Sequence, residues 1–555
     1  MPLPLLAAIV LVALALGYHF YGSFIARQYK LEATDDTPAH RHNDGVDFVP
    51  TRPFYLFGQH FSAIAAAGPI VGPIIACQQF GWLPCILWIG IGVIFIGAVH
   101  DFSTLIASVR HDARSIAEVV KVHMGPRAWM AILTFIWLAL IYVIVAFGDV
   151  TASTFVRPDD FSAGGRFNAG GAVAMAAILY LSMAIVMGIV DRFLKPPLWL
   201  QTLIFVPATL VAVWLGTRYS TVFILSWRTW VILIIGYCAV ASVLPVWLLL
   251  QPRGYLGGFV LYMAMAVGVY GVFFGGYEIH QEAFKGFDVA AKDGTGLLYP
   301  FLFVTIACGA CSGFHGLVCS GTTSKQISRE SHCRPIGYGA MLLEGFVAII
   351  ALATVMILSQ DDIKAGTQPG AIYAQGMGDF LTQIVGADHE RFARTFAAMA
   401  LSTFIFDTID VGTRLGRYIL QELFNRHNKA STLIATLITC AAPLAFLMAA
   451  QQGSYKLFWT LFGTSNQLLA ALSLLTITVW LRRHHRRHWF TAIPMVFVMA
   501  TTVWSLILQA RQVVDGASTA QILNGVVSLV LVALAGTLVY YAGRSGRVSP
   551  APEAG

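Results

Sequence analysis

Several ionisable side chains lie inside apolar stretches of this 555-residue sequence, where an unpaired charge is costly. Asp101 follows His100 in one such run, and Glu344 lies in another. Neither carboxylate has a Lys or Arg within its own run. Buried carboxylates of this kind exchange protons or bind small cations through their oxygen atoms. We therefore predict that Asp101 and Glu344 bind a coupling ion.

A further acidic stretch combines carboxylates with hydroxyl groups. Thr403, Asp407 and Asp410 are spaced so that a helix places them on one face, with Ser402 beside them. Hard oxygen ligands suit Na⁺, and a buried carboxylate suits H⁺. We predict that Ser402, Thr403 and Asp407 take part in ion coupling. For Asp410 alone, pairing with Arg414 is the favoured alternative.

Two Gly-Pro pairs interrupt the apolar run 57–76. Gly68-Pro69 and Gly72-Pro73 are four residues apart, and each proline removes a backbone donor and clashes with the preceding turn. Backbone groups freed inside a membrane need partners from protein, ions or a wet cavity, because lipid offers none. The pattern predicts a broken helix that forms a binding site.

A second interrupted run lies at 308–323, which is rich in glycine and small polar residues. Close helix packing is the alternative reason for such residues. His60 precedes the first break and His315 lies within the second, where each can hold an anionic group, pass a proton or serve only structure. The predicted binding residues are His60, Gly68, Pro69, Gly72, Pro73, Ser312, Gly313, His315 and Gly316.

The composition places these residues in a membrane. Hydrophobic residues make up 57% of the chain and charged residues 11%, whereas soluble domains carry about 25% charged residues. Taking about 20 apolar residues as one span, the sequence predicts an all-α polytopic protein with about fifteen transmembrane helices. The predicted spans are 2–22, 54–78, 82–108, 128–150, 170–190, 197–216, 229–250, 255–275, 297–320, 336–359, 394–413, 431–450, 456–480, 490–509 and 521–542.

Basic residues set the expected orientation. Most of the 35 Lys and Arg fall on one side if the N-terminus is outside and the C-terminus is in the cytoplasm. The basic run 482–487 then contacts anionic lipid headgroups, which we favour over nucleic-acid binding. We expect a multi-pass protein of the bacterial inner membrane.

The two interrupted spans are antiparallel in this arrangement, and each is followed by a span that contains a buried acid. This order predicts a five-plus-five inverted repeat with discontinuous first and sixth core helices. The predicted segments are 1–53 (leading helix and loop), 54–216 (first repeat), 217–296 (two connecting helices), 297–480 (second repeat) and 481–555 (two final helices and tail).

Cysteine and motif patterns argue against enzymatic chemistry. The eight cysteines lie mostly in apolar runs, as small buried hydrophobes do. Cys308 and Cys311 have CxxC spacing, but no second pair is near, and a zinc site with His315 or His332 is a weaker alternative. No P-loop, HExxH, GxSxG or Rossmann pattern is present, so we predict secondary transport without a cofactor.

Longer motifs resemble the carbon starvation protein A family over about 54–480. These motifs are Phe57-Gly-Gln-His-Phe-Ser-Ala-Ile-Ala-Ala-Ala-Gly-Pro-Ile-Val-Gly-Pro, Gly97-Ala-Val-His-Asp-Phe, Ser312-Gly-Phe-His-Gly, Ser320-Gly-Thr-Thr, Gly337-Tyr-Gly-Ala-Met-Leu-Leu-Glu344, Asp407-Thr-Ile-Asp-Val-Gly-Thr-Arg-Leu-Gly-Arg417 and Phe462-Gly-Thr-Ser-Asn-Gln-Leu-Leu-Ala470. The resemblance implies an inner-membrane importer, induced when preferred carbon is exhausted, for peptides or, in close relatives, for pyruvate by proton symport.

The resemblance also implies the amino acid-polyamine-cation superfamily fold. In that fold the substrate lies at the two broken helices, here Gly68 to Pro73 and Ser312 to Gly316, and a sodium site would include Ser402 and Thr403. This chain is shorter at its C-terminal end than the long family members, so peptide and pyruvate both stay open as substrates.

We therefore expect a transporter of small carboxylate nutrients coupled to H⁺ or Na⁺. Membrane lipid is its other expected partner, nucleic acid is not, and the oligomeric state stays open. A nutrient sensor that binds without transport and a passive channel are the alternatives.

Overall fold

The computed structural model of the chain describes residues 2–31, 36–45, 47–156, 167–289, 296–363, 367–426, 428–450, 455–511 and 518–545. Within these ranges the regular structure is helical, and two isolated β-bridges join Thr51 to Ile327 and Asp288 to Leu297. The all-α prediction is confirmed. The end of the predicted C-terminal tail, after Ser545, lies outside the described residues.

The first half of the chain contains α1 (Leu3–Leu16), α2 (Ser23–Tyr29), α3 (Pro38–Arg41), α4 (Pro53–Ile64), α5 (Gly68–Phe80), α6 (Trp82–Gly92), α7 (Ala98–Arg110), α8 (Ile116–Met124), α9 (Pro126–Phe155), α10 (Ala169–Phe193), α11 (Leu198–Arg218), α12 (Trp227–Val243) and α13 (Leu250–Phe274).

The second half contains α14 (Leu298–Thr305), α15 (Gly313–Val318), α16 (Ala340–Met356), α17 (Pro369–Val385), α18 (Glu390–Leu423), α19 (Lys429–Ala449), α20 (Tyr455–Arg483), α21 (Trp489–Arg511) and α22 (Thr519–Ser545). Wider π-helical turns at Gly17–Gly22, Val93–Gly97, Cys319–Thr323 and Arg334–Gly339 adjoin several of these helices.

The chain is a multi-pass membrane protein. Twelve helical stretches of the described residues are long and apolar enough to cross a membrane, and the bent pair α4 and α5 makes thirteen. Two of the fifteen predicted spans fall short: α12 has 17 residues, and the span predicted at 297–320 is divided between the short helices α14 and α15. The count of fifteen therefore stays a prediction.

Helices α9 and α18 pack along each other at the centre of the bundle. Helix α20 packs against α8, α9 and α15, and its apolar window is completely buried. Helix α13 packs against α17, α18 and α4. The outer helices α1, α19 and α22 bury only a third of their apolar windows, as expected for surfaces that face lipid. The division into two repeats stays a prediction.

A buried arginine ties four of these helices together. Arg253 of α13 donates to the Asp407 carboxylate of α18 over 2.7 Å and also pairs with Asp410 one turn further on. The Tyr237 hydroxyl of α12 donates to Asp410 over 2.6 Å, and Tyr180 of α10 donates to the Arg253 carbonyl over 2.8 Å. Arg253 is 1% exposed, so this cluster is a buried ion network.

The expected pairing of Asp410 with Arg414 is wrong. The Arg414 guanidinium instead donates to the carbonyl groups of Ala241 and Leu244, each over 2.7 Å. These carbonyls lie near and just after the end of α12, where the backbone lacks helical partners. Arg414 therefore closes that helix end, and Asp410 is left to Arg253.

We predict that Arg253→Met will destabilise the protein by about 3–5 kcal/mol, because it leaves the buried Asp410 and the partly buried Asp407 without their cation. Thermal unfolding in detergent measures the effect. The control is the triple variant Arg253→Met, Asp407→Asn and Asp410→Asn, which should recover most of the lost stability because no buried charge remains. A triple variant that is no more stable than the single one would contradict the charge-based explanation.

Candidate functional site

The first broken helix bends by 45° between α4 and α5. Residues 65–67 form the break, which lies just before the predicted Gly68–Pro73 segment. Pro69 is accommodated in the first turn of α5, where a missing N–H costs nothing, and Pro73 lies inside the helix. The sequence prediction was therefore right about the interruption but placed it a few residues too late.

The second broken helix is interrupted between Thr305 and Gly313. Ser312 is the last residue of this non-helical stretch, whereas Gly313, His315 and Gly316 belong to α15. The predicted break at Ser312–Gly316 was therefore placed a few residues too late. Gly313 serves packing instead, since a Cβ atom there would lie 2.4 Å from the Asn466 carbonyl oxygen.

Side chains satisfy the carbonyl groups that this second break exposes. Trp459 Nε1 donates to Thr305 over 3.0 Å, Trp88 Nε1 donates to Ile306 over 3.2 Å, and Gln467 Nε2 donates to Phe303 over 2.9 Å. Unpaired carbonyl groups cannot find water in the hydrocarbon region, so such donors are required. Two of the three come from α20, which explains its complete burial.

Asn466, also on α20, holds the start of α15. Its Oδ1 accepts the Phe314 N–H over 2.9 Å, and its Nδ2 donates to the Ser312 hydroxyl over 3.0 Å. The sequence left open whether Trp459 and the polar 465–467 stretch line a cavity or bond helices together. In the structure Trp459, Asn466 and Gln467 bond α20 to the second break, whereas Ser465 donates to the Phe462 carbonyl within α20.

The two breaks lie against each other. A Cβ atom on Gly68 would lie 2.4 Å from Cys308 Sγ, and one on Gly72 would lie 2.5 Å from the Thr305 carbonyl oxygen. Any larger residue would force the two backbones apart. These glycines are therefore required for close approach of the broken helices.

Beside the second break, four ionisable side chains form a continuous buried chain that we call the relay. His100 Nδ1 lies 2.7 Å from Asp101 Oδ1, and His315 Nδ1 lies 2.9 Å from Asp101 Oδ2. On its other side, His315 Nε2 lies 3.2 Å from Glu344 Oε2. All four side chains are at most 1% exposed, and they join α7, α15 and α16.

The contacts decide which atoms of the relay carry protons. His315 faces a carboxylate at each ring nitrogen and can donate to both only as the imidazolium. His100 Nδ1 donates to Asp101, which leaves His100 Nε2 free to accept. In the described part of the chain, His100 Nε2 and Glu344 Oε1 have no hydrogen-bond partner, and Glu344 Oε2 has the 3.2 Å contact with His315. The relay therefore has, at each end, an atom that can still form a hydrogen bond.

The π-helical turns position this relay. Val93–Gly97 precedes α7 with His100 and Asp101, Cys319–Thr323 follows α15, and Arg334–Gly339 precedes α16 with Glu344. Such wider turns are frequent at functional sites, because they rotate the following side chains relative to a regular helix.

His60 lies near the relay but forms different bonds. Its Nδ1 is 2.9 Å from the Thr323 hydroxyl, and its Nε2 is 4.0 Å from Cys319 Sγ. These contacts link α4, before the first break, to the π-helical turn after the second. His60 therefore connects the two broken helices.

The predicted ion-coupling residues separate into two groups. The relay unites Asp101, His315 and Glu344, whereas Asp407 belongs to the Arg253 cluster. Ser402 donates to the Ala398 carbonyl over 2.9 Å, and Thr403 lies 3.2 Å from Met399 Sδ. Both hydroxyl hydrogens are used within α18 itself. Each oxygen could therefore bind an ion only through its lone pairs.

Sequence reasoning missed Trp88 and Asp149. Nothing in the sequence marks Trp88, because its partner is a backbone carbonyl 218 residues away. Asp149 is a lone carboxylate in the apolar run 128–150, so the rule that identified Asp101 and Glu344 would have identified it too.

The cysteines form no bonded pair or metal site in the described ranges. Cys308 and Cys311 are free thiols. Among the residues described, no three His, Cys, Asp or Glu side chains have an arrangement that would hold a metal ion. The zinc alternative gains no support.

Two broken helices in contact and a buried ionisable relay within a polytopic membrane protein are an arrangement typical of secondary transporters. The family described as carbon starvation protein CstA matches residues 3–371 and 359–505. The chain belongs to this family.

Relatives with different printed substrates are about equally similar. The peptide transporter CstA of Campylobacter jejuni is 33% identical over 93% of this chain and 81% of its own length. The pyruvate/proton symporter BtsT of Escherichia coli K12 is 32% identical over 88% and 79%. The peptide transporter CstA of Bacillus subtilis is 32% identical over 94% and 93%.

Among solved structures, a mutant of the manganese transporter of Eremococcus coleocola aligns with a TM-score of 0.39 at 15% identity, covering 89% of this chain and 95% of its own. Similarity at this level bears on neither substrate nor site.

We predict that Trp459→Phe will lower stability by about 1–3 kcal/mol, because the Thr305 carbonyl loses its donor while the ring is kept. Thermal unfolding in detergent measures the loss. Trp504→Phe is the matched control, since Trp504 is 39% exposed on α21 and should tolerate the change. Equal losses of stability in the two variants would show that the hydrogen bond to Thr305 does not contribute measurably to stability.

Proposed function

We propose that this protein is a proton-coupled importer of a small carboxylate-bearing nutrient, either a peptide or pyruvate, used when preferred carbon is scarce. The observation that carries the proposal is the relay, which is buried and adjacent to the second break. At each of its ends an atom has no hydrogen-bond partner among the described residues. The printed names of the relatives, peptide transporter and pyruvate/proton symporter, support the same class of activity.

The charge of the relay gives a physical basis for coupling. With Asp101 and Glu344 ionised and His315 an imidazolium, the relay carries one net negative charge. A proton added to Glu344 makes it neutral. A neutral buried site costs less to sequester from water than a charged one. Closure of the protein around its substrate is therefore favoured once the proton is bound.

The same proton acts on the second break. His315 is the third residue of α15, and Glu344 holds it from α16. Protonation of Glu344 removes the charge that attracts the imidazolium, so α15 is released from α16. We propose that the substrate carboxylate binds beside the breaks, at Gly68–Pro73 and Ser312–Gly316, where the positive end of the α5 dipole and His315 favour an anion.

Sodium coupling is the second candidate and rests on Ser402 and Thr403. Their hydroxyl oxygens, and the Asp407 carboxylate at 30% side-chain exposure, offer hard ligands. We favour the proton, because Asp407 is paired with the permanently charged Arg253, whereas Glu344 faces only the titratable His315 among the described residues.

We further propose the orientation that the basic residues favour, with the N-terminus outside and the C-terminus in the cytoplasm of a bacterial inner-membrane protein. The basic run 482–487 begins in the last turn of α20, at the proposed inner surface. Binding of nucleic acid has no part in the proposal, and neither does a cofactor.

The test is uptake of labelled pyruvate and of labelled dipeptides into proteoliposomes, with pH and Na⁺ gradients imposed separately. Accumulation driven by the pH gradient supports the proposal and identifies the substrate. Accumulation driven only by Na⁺ would indicate that the α18 hydroxyls, and not the relay, bind the coupling ion. Passive equilibration would indicate a channel, and binding without uptake would indicate a sensor.

We predict that Glu344→Gln will abolish accumulation driven by the pH gradient while exchange of substrate across the membrane continues. Glutamine keeps the shape of the side chain but cannot release a proton. Glu118→Gln is the control, because Glu118 lies on the surface helix α8 and pairs with Lys121. The role of Glu344 would be refuted if pH-driven accumulation by its variant matched that of the control.

A further inference from the structure

A carboxylate outside the relay is also completely buried. Asp149 lies on α9, where the beginning of α12 packs against it. Its Oδ1 accepts the Trp227 indole N–H over 3.0 Å and the Ser153 hydroxyl over 3.3 Å. Its Oδ2 has no hydrogen-bond partner among the described residues. The residue is 0% exposed, so no solvent reaches the unpaired oxygen.

No cation compensates this carboxylate in the described part of the chain. The charged side chains described on the helices packed against α9 are exposed, engaged elsewhere or far along their helix. These are Glu118 with Lys121, His123 with His111, Asp191 with Gln201, Arg192 with the Trp247 ring, Tyr237, Asp407 and Asp410 with Arg253, Asp379 and Glu390 with Arg394, Arg391 with the Phe167 ring, Arg414 with two carbonyl groups, Arg417 with the Tyr418 ring, Glu422 in the last turn of α18, Arg483 with the Ser545 carbonyl, the exposed Arg228, Lys429, Arg482 and Arg544 and, on α9 itself, the exposed Arg127 and Tyr142 with Asn524. The side chain of Lys456 on α20 lies outside the described residues.

An ionised Asp149 would be poorly stabilised in this position. Among the described residues, two neutral donors reach one of its oxygens and no donor reaches the other. Removing an isolated carboxylate from water costs several kcal/mol, and the usual result is that the group takes up a proton. In the enclosed conformation described here, Asp149 is therefore a neutral acid.

Asp149 lies near the end of its helix. It is six residues before Phe155, the last residue of α9, or about 9 Å along the helix axis. Trp227, which donates to Asp149, is the first residue of α12 and is 5% exposed. The preceding segment carries exposed side chains at Tyr219, Val222 and Ile224. Proton exchange at Asp149 would require Trp227 to move and admit water.

Asp149 also lies close to the second break. Phe147, two residues earlier, packs against Trp459 with ring centroids 5.6 Å apart. Trp459 in turn donates to the Thr305 carbonyl at the break. A rearrangement of the second break therefore reaches the α9 turn that carries Asp149 through two direct contacts.

We infer that Asp149 is a second proton-binding site, separate from the relay, which takes one proton from water when it is hydrated and keeps it while Trp227 covers it. The step adds H⁺ to the carboxylate to give the acid, and the reverse step returns H⁺ to water. This inference rests on the proposed proton-coupled transport, and it sets the number of protons that accompany each substrate at two.

The experiment measures the steady accumulation of labelled substrate in proteoliposomes against imposed pH gradients, with the membrane potential held at zero by potassium and valinomycin. With two protons per substrate, accumulation rises as the square of the proton ratio, so a tenfold ratio sustains about 100-fold accumulation. In Asp149→Asn, which keeps the acceptor for Trp227 but cannot titrate, the same ratio should sustain only about tenfold accumulation.

The outcomes separate the two proposals. If the wild-type protein shows no pH-driven accumulation, the proposed function fails. If wild type and Asp149→Asn accumulate substrate with the same dependence on the proton ratio, the proposed function stands and Asp149 is not a coupling site.

Two further measurements cover the case in which Asp149→Asn does not fold. Trp227→Phe removes the donor that stabilises the ionised form, so its pH profile of uptake should shift to higher pH, and an unshifted profile would overturn the inference. Infrared spectra of the purified wild-type protein should show the carbonyl stretch of a protonated carboxylic acid near neutral pH. Trp227→Phe should keep that band to higher pH, and an identical band titration would count against Asp149 as its source.

Discussion

The backbone carbonyls released between α14 and α15 impose the constraint on which the rest of this structure depends. A helix broken inside a bilayer must find donors within the protein, since hydrocarbon supplies none. Trp459, Gln467 and Trp88 supply them. Because two of these donors lie on α20, that helix must be surrounded by protein, and it is packed between α15, α8 and α9. The break therefore requires that α20 be enclosed by protein and not face lipid.

Buried charge is handled in two contrasting ways. In the Arg253 cluster, one cation pairs with Asp407 and Asp410, and Tyr237 donates a further bond, so the network ties helices together. In the relay, the described residues hold Glu344 only by an ion-pair contact with His315. Both networks leave a buried carboxylate oxygen without a hydrogen-bond partner among the described residues, Asp410 Oδ1 in the cluster and Glu344 Oε1 in the relay. They differ in the cation, because an arginine stays protonated whereas a histidine can release its proton. Structural and functional charge thus differ in whether the counter-ion can titrate.

Hydropathy was sufficient to predict the all-α class and the position of most spans, because membrane helices must be long and apolar. It was less accurate for the breaks, since Pro69 is tolerated in the first turn of α5 and the interruption moved to 65–67. The sequence could not predict long-range partners. Asp410 pairs with Arg253, 157 residues away, although Arg414 is one turn distant on the same helix. Spacing within a helix predicts which side chains share a face, not what a neighbouring helix brings to that face.

Family membership narrows the function but does not choose the substrate. Relatives named for peptide transport and for pyruvate/proton symport are 33% and 32% identical to this chain, so overall similarity cannot separate them. In the proposed site, the choice would come from the few side chains at the breaks. Gly68 and Gly72 lie against Cys308 and Thr305 with no room for a Cβ atom, so space for a substrate between them would have to open by movement of the two breaks relative to each other. A site that must open before it can bind selects its substrate partly by how far it opens. Under the proposed function, the donors that hold the second break, above all Trp459, would therefore influence substrate size as well as stability.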